Sequence, residues 1–486
     1  MIYLRSTLFI LSVLLWSCTA PQENKEVQSE PKKTFNVMAP LHIKVFNDPR
    51  VLEEADWEKF KTQLAQARDI GVAAVSVDVW WGDVEGEADN SFNWTYYQDI
   101  FKTITDHDLQ VIPILSFHQC GGNSGDDYTS LLPNWIWSKL MEENDQIESE
   151  LDLKYISDSK DEDGDSRYSN EFVALWADAL VMYQYIEFME AFKAEFTAMF
   201  DQMQEINISC GPAGELRYPS YNSHDNWSYP GSGNLQCYSD LALIDFQKAS
   251  EAKYGTIQLL NGAWNTDFST FGDITLPEDA KDFFQSGAYY NTTYGKDFIS
   301  WYNQSLVDHG VRMVKAGLKT FGDQLSNDLK LGFKVPGIHW QLRNPQSPRA
   351  SEVKCGLINS YGLTGAKGYY STLSRIYEEI PNDKVNLHFT CLEMGNEYSG
   401  EGESEHYSRA QELVFQVDSA AQALGINVKG ENALAGNLYG DFGWDRMAEA
   451  LDKGTFEGVT ILRIGDVTTE NELGKKRYTD LISKNQ

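Results

Sequence analysis

The chain has 486 residues and a formal net charge of -32 at pH 7, with 40 Lys and Arg against 72 Asp and Glu. A surface this acidic excludes nucleic acid and anionic membrane surfaces as natural partners. The 13 Trp, 25 Tyr and 24 Phe supply a large core, and such abundance also suits a cleft that stacks sugar rings.

The first eighteen residues predict an export signal. The apolar run 8–16 is too short for a stable transmembrane anchor, and it ends in LWSC, which is similar to a bacterial lipoprotein box. We expect residues 1–18 to be a signal peptide whose Cys18 is lipidated, which would make the protein an exported, membrane-anchored lipoprotein. A plain secretory signal is the alternative. The polar stretch 19–34 predicts a flexible linker.

From residue 35 to 486 the chain alternates apolar runs with amphipathic stretches eight times. This alternation predicts a parallel sheet, and eight units predict a single α/β catalytic domain folded as a (β/α)8 TIM barrel with long loops. The predicted strands are 36–41, 73–79, 110–117, 205–210, 331–338, 387–391, 427–429 and 458–463. Predicted helices include 57–68, 172–200 and 406–424.

The connection between the fourth and fifth predicted strands is too long for one loop. We therefore expect residues 216–330 to form a large elaboration over the barrel, with helices near 240–254 and 295–321.

Five cysteines follow Cys18, at positions 120, 210, 237, 355 and 391. Their odd number and irregular spacing exclude a disulfide framework, and no pair has the spacing of a metal site. At least one thiol is expected to be free.

Polar and charged residues cluster where the predicted strands end. In a TIM barrel the carboxyl ends of all eight strands meet on one face, where these enzymes place their active sites. The pattern therefore predicts a functional site on that face. The residues are Asp78, His118, Glu215, His339, Glu393, Glu431 and Arg463.

The loop 211–221 has the sequence GPAGELRYPSY and directly follows a predicted strand. Its glycines allow close backbone approach, its prolines stiffen the loop, and Glu215 lies among an arginine and two tyrosines. No phosphate loop, Ser-His-Asp signature or dinucleotide motif occurs. Several carboxylates beside aromatic rings favour glycosidic bond cleavage, which needs one protonated and one ionised carboxyl group. Glu215 is the candidate acid, and spacing alone leaves Glu393 and Glu431 open as its partner.

A second loop, 118–127, has the sequence HQCGGNSGDD. Its glycines provide hinges, while His118 and Asp126 can hydrogen-bond to hydroxyl groups, so we predict a lid over the site. A glycine-rich connector is the alternative.

Seven segments of the chain resemble the β-amylases, glycoside hydrolase family 14, in sequence and in order. They are VDVWWG (77–82), residues 118–126, residues 211–221, GIHW (337–340), FTCLEM (389–394), GENAL (430–434) and LR (462–463). The resemblance runs from about residue 36 to about residue 467. It implies hydrolysis of α-1,4-glucans (starch and maltooligosaccharides) from the non-reducing end, releasing β-maltose with inversion and without a cofactor.

By this resemblance Glu215 is the general acid and Glu431 the general base that activates water. An inverting pair of this kind lies roughly 6.5–9.5 Å apart. Thr390 would hold the base or the product, and Glu393 would be a supporting carboxylate in the same substrate-binding loop. The other implied sugar-contacting residues are Asp78, His118, Asp126, Lys334, His339, Asn432, Ala433 and Arg463, with Trp80, Tyr221 and Trp340 as ring-stacking walls.

A structural calcium site is also implied. Glu85, Asp89 and Asn90 have the spacing seen in bacterial β-amylases, and Glu187 and Glu190 lie three apart on a predicted helix, hence on one face. The alternative is a solvated acidic surface.

The chain departs from the family pattern at 395–398 and 435–436, which affects contacts with outer sugar units.

The chain ends soon after the eighth unit without a starch-binding module, so we expect soluble oligomers to be better substrates than granular starch. We also expect the protein to be a monomer. Because Cys120 lies in the predicted lid and Cys391 in the loop 389–394, which we call the inner loop, bulky thiol reagents should inhibit. Two rival functions are a glucan-binding surface lipoprotein without turnover and a retaining exo-glycosidase acting on another sugar.

Overall fold

Eight parallel strands close into a barrel in the computed structural model, which describes residues 33–43, 54–121, 126–359, 367–400 and 402–485. Each strand pairs with its neighbours in chain order, and the first pairs with the last. The predicted TIM barrel is therefore confirmed, whereas the predicted signal peptide and nearly all of the linker lie outside the described residues. The strands are β1 Thr34–Met38, β2 Ala74–Trp80, β3 Gln110–Ser116, β4 Glu205–Ile208, β5 Lys330–Val335, β6 Val385–Phe389, β7 Val428–Glu431 and β8 Gly458–Ile461.

The strands are almost continuously buried because helices cover the outside of the barrel while side chains fill its interior. The interior also holds an ionic cluster. Glu205 accepts hydrogen bonds from Asn386 at 2.5 Å and from Lys429 at 2.9 Å, and it contacts His388. Burial alone would raise the pKa of Glu205, but Lys429 and His388 hold it well below its usual range. A Cβ atom at Gly332 would lie 2.1 Å from Glu205 Oε1, so only glycine fits opposite this cluster.

The α-helices differ from the predicted ones mainly at their ends. The helix predicted over 172–200 spans Asp178–Phe196, with 3-10 turns at Leu175–Ala177 and Thr197–Gln202, and the one predicted over 406–424 begins at Ala410. None of the described helices has the length and apolar character needed to cross a bilayer. Their bounds are Glu54–Asp69, Trp81–Val84, Thr95–Thr105, Trp135–Glu142, Asp178–Phe196, Asp240–Tyr254, Ile257–Trp264, Ala280–Gln285, Ala288–Asn291, Thr293–Phe321, Ala350–Lys354, Lys367–Tyr377, Ala410–Leu424, Asp441–Lys453 and Glu472–Asn485.

The long helix Thr293–Phe321 supports the loop that carries Glu215. Tyr302 on this helix stacks on Tyr218 with ring centroids 3.9 Å apart, and the Tyr218 hydroxyl donates to the Tyr302 carbonyl oxygen at 2.9 Å. Gly310 leaves room for Leu216, whose Cδ2 would lie 2.8 Å from a Cβ there. Farther along, Gly317 faces side chains of β4 and β5, so the same helix covers the barrel between these strands.

Candidate active site

A cavity of about 800 Å³ opens at the carboxyl ends of the barrel strands. It brings together residues from all eight strands or from the loops that follow them, as the sequence predicted. The predicted catalytic and sugar-contacting residues that line it are Asp78, Trp80, His118, Asp126, Glu215, Tyr221, Lys334, His339, Trp340, Thr390, Glu431, Asn432, Ala433 and Arg463.

Glu215 is held in the cavity by a tight turn after β4. Ala213 and Gly214 both have positive φ, of 56° and 76°, which turns the chain sharply before the glutamate. The backbone of Glu215 then pairs in parallel with Lys334, and Leu216 N donates to the Lys334 carbonyl oxygen at 2.8 Å. The loop thus adds a short continuation to the barrel sheet, which makes the position of the carboxyl group rigid.

The environment of Glu215 favours its protonated form. Burial raises the pKa of this carboxyl group, although the positive charges of Arg217 and Lys334 act to lower it. Its Oε2 accepts hydrogen bonds from Arg217 Nε at 2.9 Å and from the Tyr221 hydroxyl at 3.4 Å. A raised pKa is the property that a proton donor needs at neutral pH.

Glu431 is the last residue of β7, and Lys334 Nζ lies 2.7 Å from its Oε1. The two side chains are 8% and 16% exposed, so water screens this ion pair weakly. Burial acts to lower the pKa of Lys334, but Glu431, Glu215 and Asp78 raise it above its usual value. Lys334 therefore stays charged, and it joins the two glutamates: its backbone fixes Glu215 and its ammonium group contacts Glu431.

Two residues of the inner loop after β6, Thr390 and Glu393, have different positions relative to the cavity. Thr390 lines the cavity, and its Oγ1 accepts a hydrogen bond from Gly337 N at 2.8 Å. Glu393 does not line it: this side chain is fully buried and accepts hydrogen bonds from Ala433 N at 2.9 Å and from Leu434 N at 2.8 Å. The oxygens of Glu393 thus hold the wall that follows Glu431, which agrees with the expected role of a supporting carboxylate.

Two groups from β2 and from the loop after β3, which line the cavity, have shifted pKa values. His118 bonds through Nδ1 to Ser209 Oγ at 2.8 Å, and burial, together with Lys334 and Arg217, lowers its pKa to about 3. Burial raises the pKa of Asp78, against the opposing effects of Arg463 and Lys334. A neutral imidazole and a carboxyl group that line one cavity can exchange hydrogen bonds with sugar hydroxyls in either direction.

Aromatic rings form one wall of the cavity. Tyr221 and Trp340 are nearly perpendicular, with centroids 5.2 Å apart, and Trp340 Nε1 donates to the Gly231 carbonyl oxygen at 2.9 Å. Trp227 and Tyr229 also line the cavity, and the sequence analysis missed them. The cluster WSYPG at 227–231, with two aromatic rings beside proline and glycine, is the signal that indicates them.

The predicted lid is only partly described. His118 and Asp126 both line the cavity, and Asp126 Oδ2 accepts a hydrogen bond from Gly121 N at 3.2 Å. Residues 122–125 lie outside the described residues, so closure of this loop stays a prediction.

Three of the five predicted calcium ligands lie together. One carboxylate oxygen from each of Glu85, Asp89 and Glu187 falls within 4.8 Å of the other two. Among the described residues, Asp89 Oδ1 and Glu187 Oε2 are buried without a hydrogen-bond partner, so the donor set suits a hard cation. Asn90 adjoins the group and donates from its backbone to Glu85 Oε1 at 2.7 Å. Glu190 is exposed and is not part of the group.

The five cysteines in the described part of the chain are all free and buried, which agrees with the predicted lack of a disulfide framework. Cys120 lines the cavity, whereas Cys391 does not. Burial raises the pKa of both thiols far above the usual range, so the reactive thiolate is scarce at neutral pH. Inhibition by thiol reagents should therefore be slow.

Comparisons with known proteins agree with this site. The model of the glycosyl hydrolase family 14 matches residues 36–482. A thermophilic β-amylase of Thermoanaerobacterium thermosulfurigenes is 36% identical over 438 residues, which cover 90% of this chain and 73% of that protein. A β-amylase of Cytobacillus firmus is 36% identical over 436 residues, covering 88% of this chain and 84% of the relative.

A solved structure shows the same architecture. The crystal structure of the catalytic domain of β-amylase from Paenibacillus polymyxa matches with a TM-score of 0.78 and 34% identity, covering 94% of this chain and 99% of that one. The similarity thus spans both the barrel and the loops that build the cavity. The chain belongs to glycosyl hydrolase family 14.

Proposed function

We propose that this protein is a β-amylase that hydrolyses α-1,4-glucans from the non-reducing end and releases maltose with inversion, as β-maltose. Relatives that match most of the chain are named β-amylases, which supports an α-glucan substrate and maltose as product. The observation that carries the proposal is the pair Glu215 and Glu431, which share Lys334 in one cavity.

Glu215 acts as the general acid. Its raised pKa keeps a proton available, and that proton passes to the glycosidic oxygen as the bond to the anomeric carbon breaks. Arg217 and Tyr221 orient the carboxyl group through its Oε2, so that the other oxygen, Oε1, can face the leaving group. The charge of Arg217 also stabilises the carboxylate that forms when the proton leaves.

Glu431 acts as the general base. It takes a proton from a water molecule on the opposite face of the sugar ring, and that water attacks the anomeric carbon with inversion. Lys334 fixes the orientation of the carboxylate through the 2.7 Å ion pair. Glu393 fixes the backbone that follows Glu431, and Thr390 lies beside Gly337 where it can bind the attacking water or the product.

Hydrolysis of maltohexaose by the wild-type protein tests the proposal. We expect maltose as the product, and we expect Glu215→Gln and Glu431→Gln each to lower kcat/KM by about 10²–10⁴-fold while leaving the fold intact. Glu251→Gln, at an exposed position outside the cavity, is the matched control and should retain full activity. Binding of maltohexaose without any maltose from the wild type would favour the glucan-binding protein instead.

Two further parts of the proposal concern the protein outside the active site. We propose that Glu85, Asp89 and Glu187 hold a structural Ca²⁺, with no part in the chemistry. We also propose that the protein is exported and anchored through a lipid on Cys18. Labelling cells with radioactive palmitate tests the anchor: label should appear on the wild type and be absent from Cys18→Ala, and equal labelling of both would contradict it.

A further inference from the structure

The segment 395–409 begins with residues 395–398, where the chain departs from the family pattern, and its described residues lie against one wall of the cavity. It contains a small hairpin of strands Tyr398–Ser399 and Gly402–Glu403. Three backbone hydrogen bonds join it to the wall: Arg409 N donates to the His339 carbonyl oxygen at 2.9 Å, Gln341 N to that of His406 at 2.9 Å, and Leu342 N to that of Tyr407 at 3.1 Å. The described residues of the segment therefore form a fixed extension of the cavity wall.

This segment places a carboxylate against a tyrosine at the cavity. The Tyr229 hydroxyl donates to Glu397 Oε1 at 3.1 Å, and both residues line the cavity. His406 Nδ1 lies 2.6 Å from Glu397 Oε2, and its ring meets that of Tyr229 edge-on with centroids 4.8 Å apart. Arg409 Nη1 donates to the Glu397 carbonyl oxygen at 2.8 Å, which fixes the backbone of the glutamate. Tyr229 is still 40% exposed, so part of its ring is free to contact a ligand.

A row of rings leads from the general acid to this pair. The Tyr221 hydroxyl contacts Glu215, Tyr221 packs against Trp340, and Trp340 packs against Tyr229 with centroids 5.9 Å apart. Trp340 is 6% exposed and Tyr229 40%, so the step from Trp340 to Tyr229 leads from the interior of the cavity toward solvent. Because Glu215 protonates the leaving oxygen, the leaving part of the glucan lies on this side of the cleaved bond.

We propose that Tyr229 and Glu397 form an additional sugar-binding subsite for the leaving segment of the glucan, outward of Trp340. The apolar face of a glucosyl unit packs on the Tyr229 ring, and its hydroxyls donate to Glu397 Oε1, which accepts one hydrogen bond from the Tyr229 hydroxyl, whereas Oε2 is already bonded to His406 and Ser404. The subsite gives the enzyme a preference for longer maltooligosaccharides. This inference rests on the proposed function, since it assumes an α-1,4-glucan in the cavity.

The ratio of kcat/KM for maltoheptaose to kcat/KM for maltotetraose tests the subsite. Tyr229→Ala should lower this ratio roughly fivefold, because only the longer substrate reaches the ring. Glu397→Gln, on a different element, should lower it in the same direction, and Tyr229→Phe should retain most of it. Tyr370→Ala is the matched control, since Tyr370 is 41% exposed and outside the cavity lining. An unchanged ratio in both Tyr229→Ala and Glu397→Gln would overturn the inference.

A binding measurement separates this inference from the proposed function. In the Glu215→Gln background, calorimetry should show that Tyr229→Ala weakens the binding of maltoheptaose roughly fivefold more than the binding of maltotetraose. Equal weakening of both oligosaccharides would show that Tyr229 only supports the cavity and would overturn the subsite, with the β-amylase activity of the wild type unaffected. Absence of maltose from the wild type would instead defeat the proposed function, while the binding difference would still report on the subsite.

Discussion

Replacing Arg217 with glutamine should move the alkaline limb of the pH profile of kcat/KM to higher pH. Arg217 Nε lies 2.9 Å from Glu215 Oε2, and its side chain is only 1% exposed, so solvent screens the guanidinium charge weakly. This charge lowers the pKa of Glu215 against the larger effect of burial, which raises it. Without the charge, the raised pKa of Glu215 rises further, and the general acid keeps its proton to higher pH.

The size of the shift follows from the geometry. Two unit charges 4 Å apart interact by about 4 kcal/mol at an effective dielectric constant near 20. Carboxylates next to arginine show shifts of about 1–3 pKa units, at about 1.4 kcal/mol per unit. We therefore expect the limb to move upward by about 1–2 units, and kcat at neutral pH to fall because the acid is weaker.

The assay is the initial rate of maltose release from maltohexaose between pH 4 and 10. Arg217→Lys keeps a positive charge and should move the limb less than Arg217→Gln does. Arg217 also donates to Asn222 Oδ1 and to the Tyr218 carbonyl oxygen, so thermal unfolding must confirm that each variant is folded. An alkaline limb that stays in place, or moves to lower pH, in folded Arg217→Gln would refute the assignment of Glu215 as the acid.

Three further predictions concern stability and access. Burial lowers the pKa of His118 to about 3 and of His339 to about 4; since unfolded histidine takes up a proton below about pH 6.5, the free energy of unfolding should fall by about 2 kcal/mol per histidine between pH 6.5 and 5. Because carboxyl groups with raised pKa values, such as Glu85 at about 7, oppose this trend, urea titrations should compare the wild type with His118→Asn, and an equal pH dependence of the two would contradict the prediction. Millimolar Ca²⁺ should raise the Tm by a few degrees through the proposed cluster, and an equal rise in Glu187→Gln would exclude that site. N-ethylmaleimide should modify Cys120 slowly at pH 7, faster at higher pH and more slowly with maltose present; rapid reaction at pH 7 would show that this thiol is open to solvent.

Much of the barrel could be predicted from the sequence because its strands are apolar runs separated by helical patterns. The ends of elements were less accurate: Glu431 was expected beyond a strand ending at 429, yet it is the last residue of β7. The helix predicted from 406 starts at Ala410, since residues 406–409 hydrogen-bond to the cavity wall instead. Local patterns describe periodicity, whereas such ends depend on partners that are distant in the chain.

The active site, like the barrel, could be predicted from the sequence only in part. Carboxylates at strand ends could be found from spacing, but spacing cannot tell which way a side chain points. Glu393 turns toward the backbone N–H groups of Ala433 and Leu434, 40 and 41 residues away, rather than toward the cavity. Tyr229 belongs to the elaboration after β4, where no periodic pattern indicates that its ring returns to the barrel mouth.

The anomeric form of the first product tests the central claim most directly. If Glu215 donates a proton while Glu431 activates water on the opposite face, proton NMR during the first turnovers of maltoheptaose should show maltose released as the β-anomer, before mutarotation mixes the two forms. Initial release of α-maltose would require attack from the other face, and it would contradict the assignment of these two glutamates as an inverting pair.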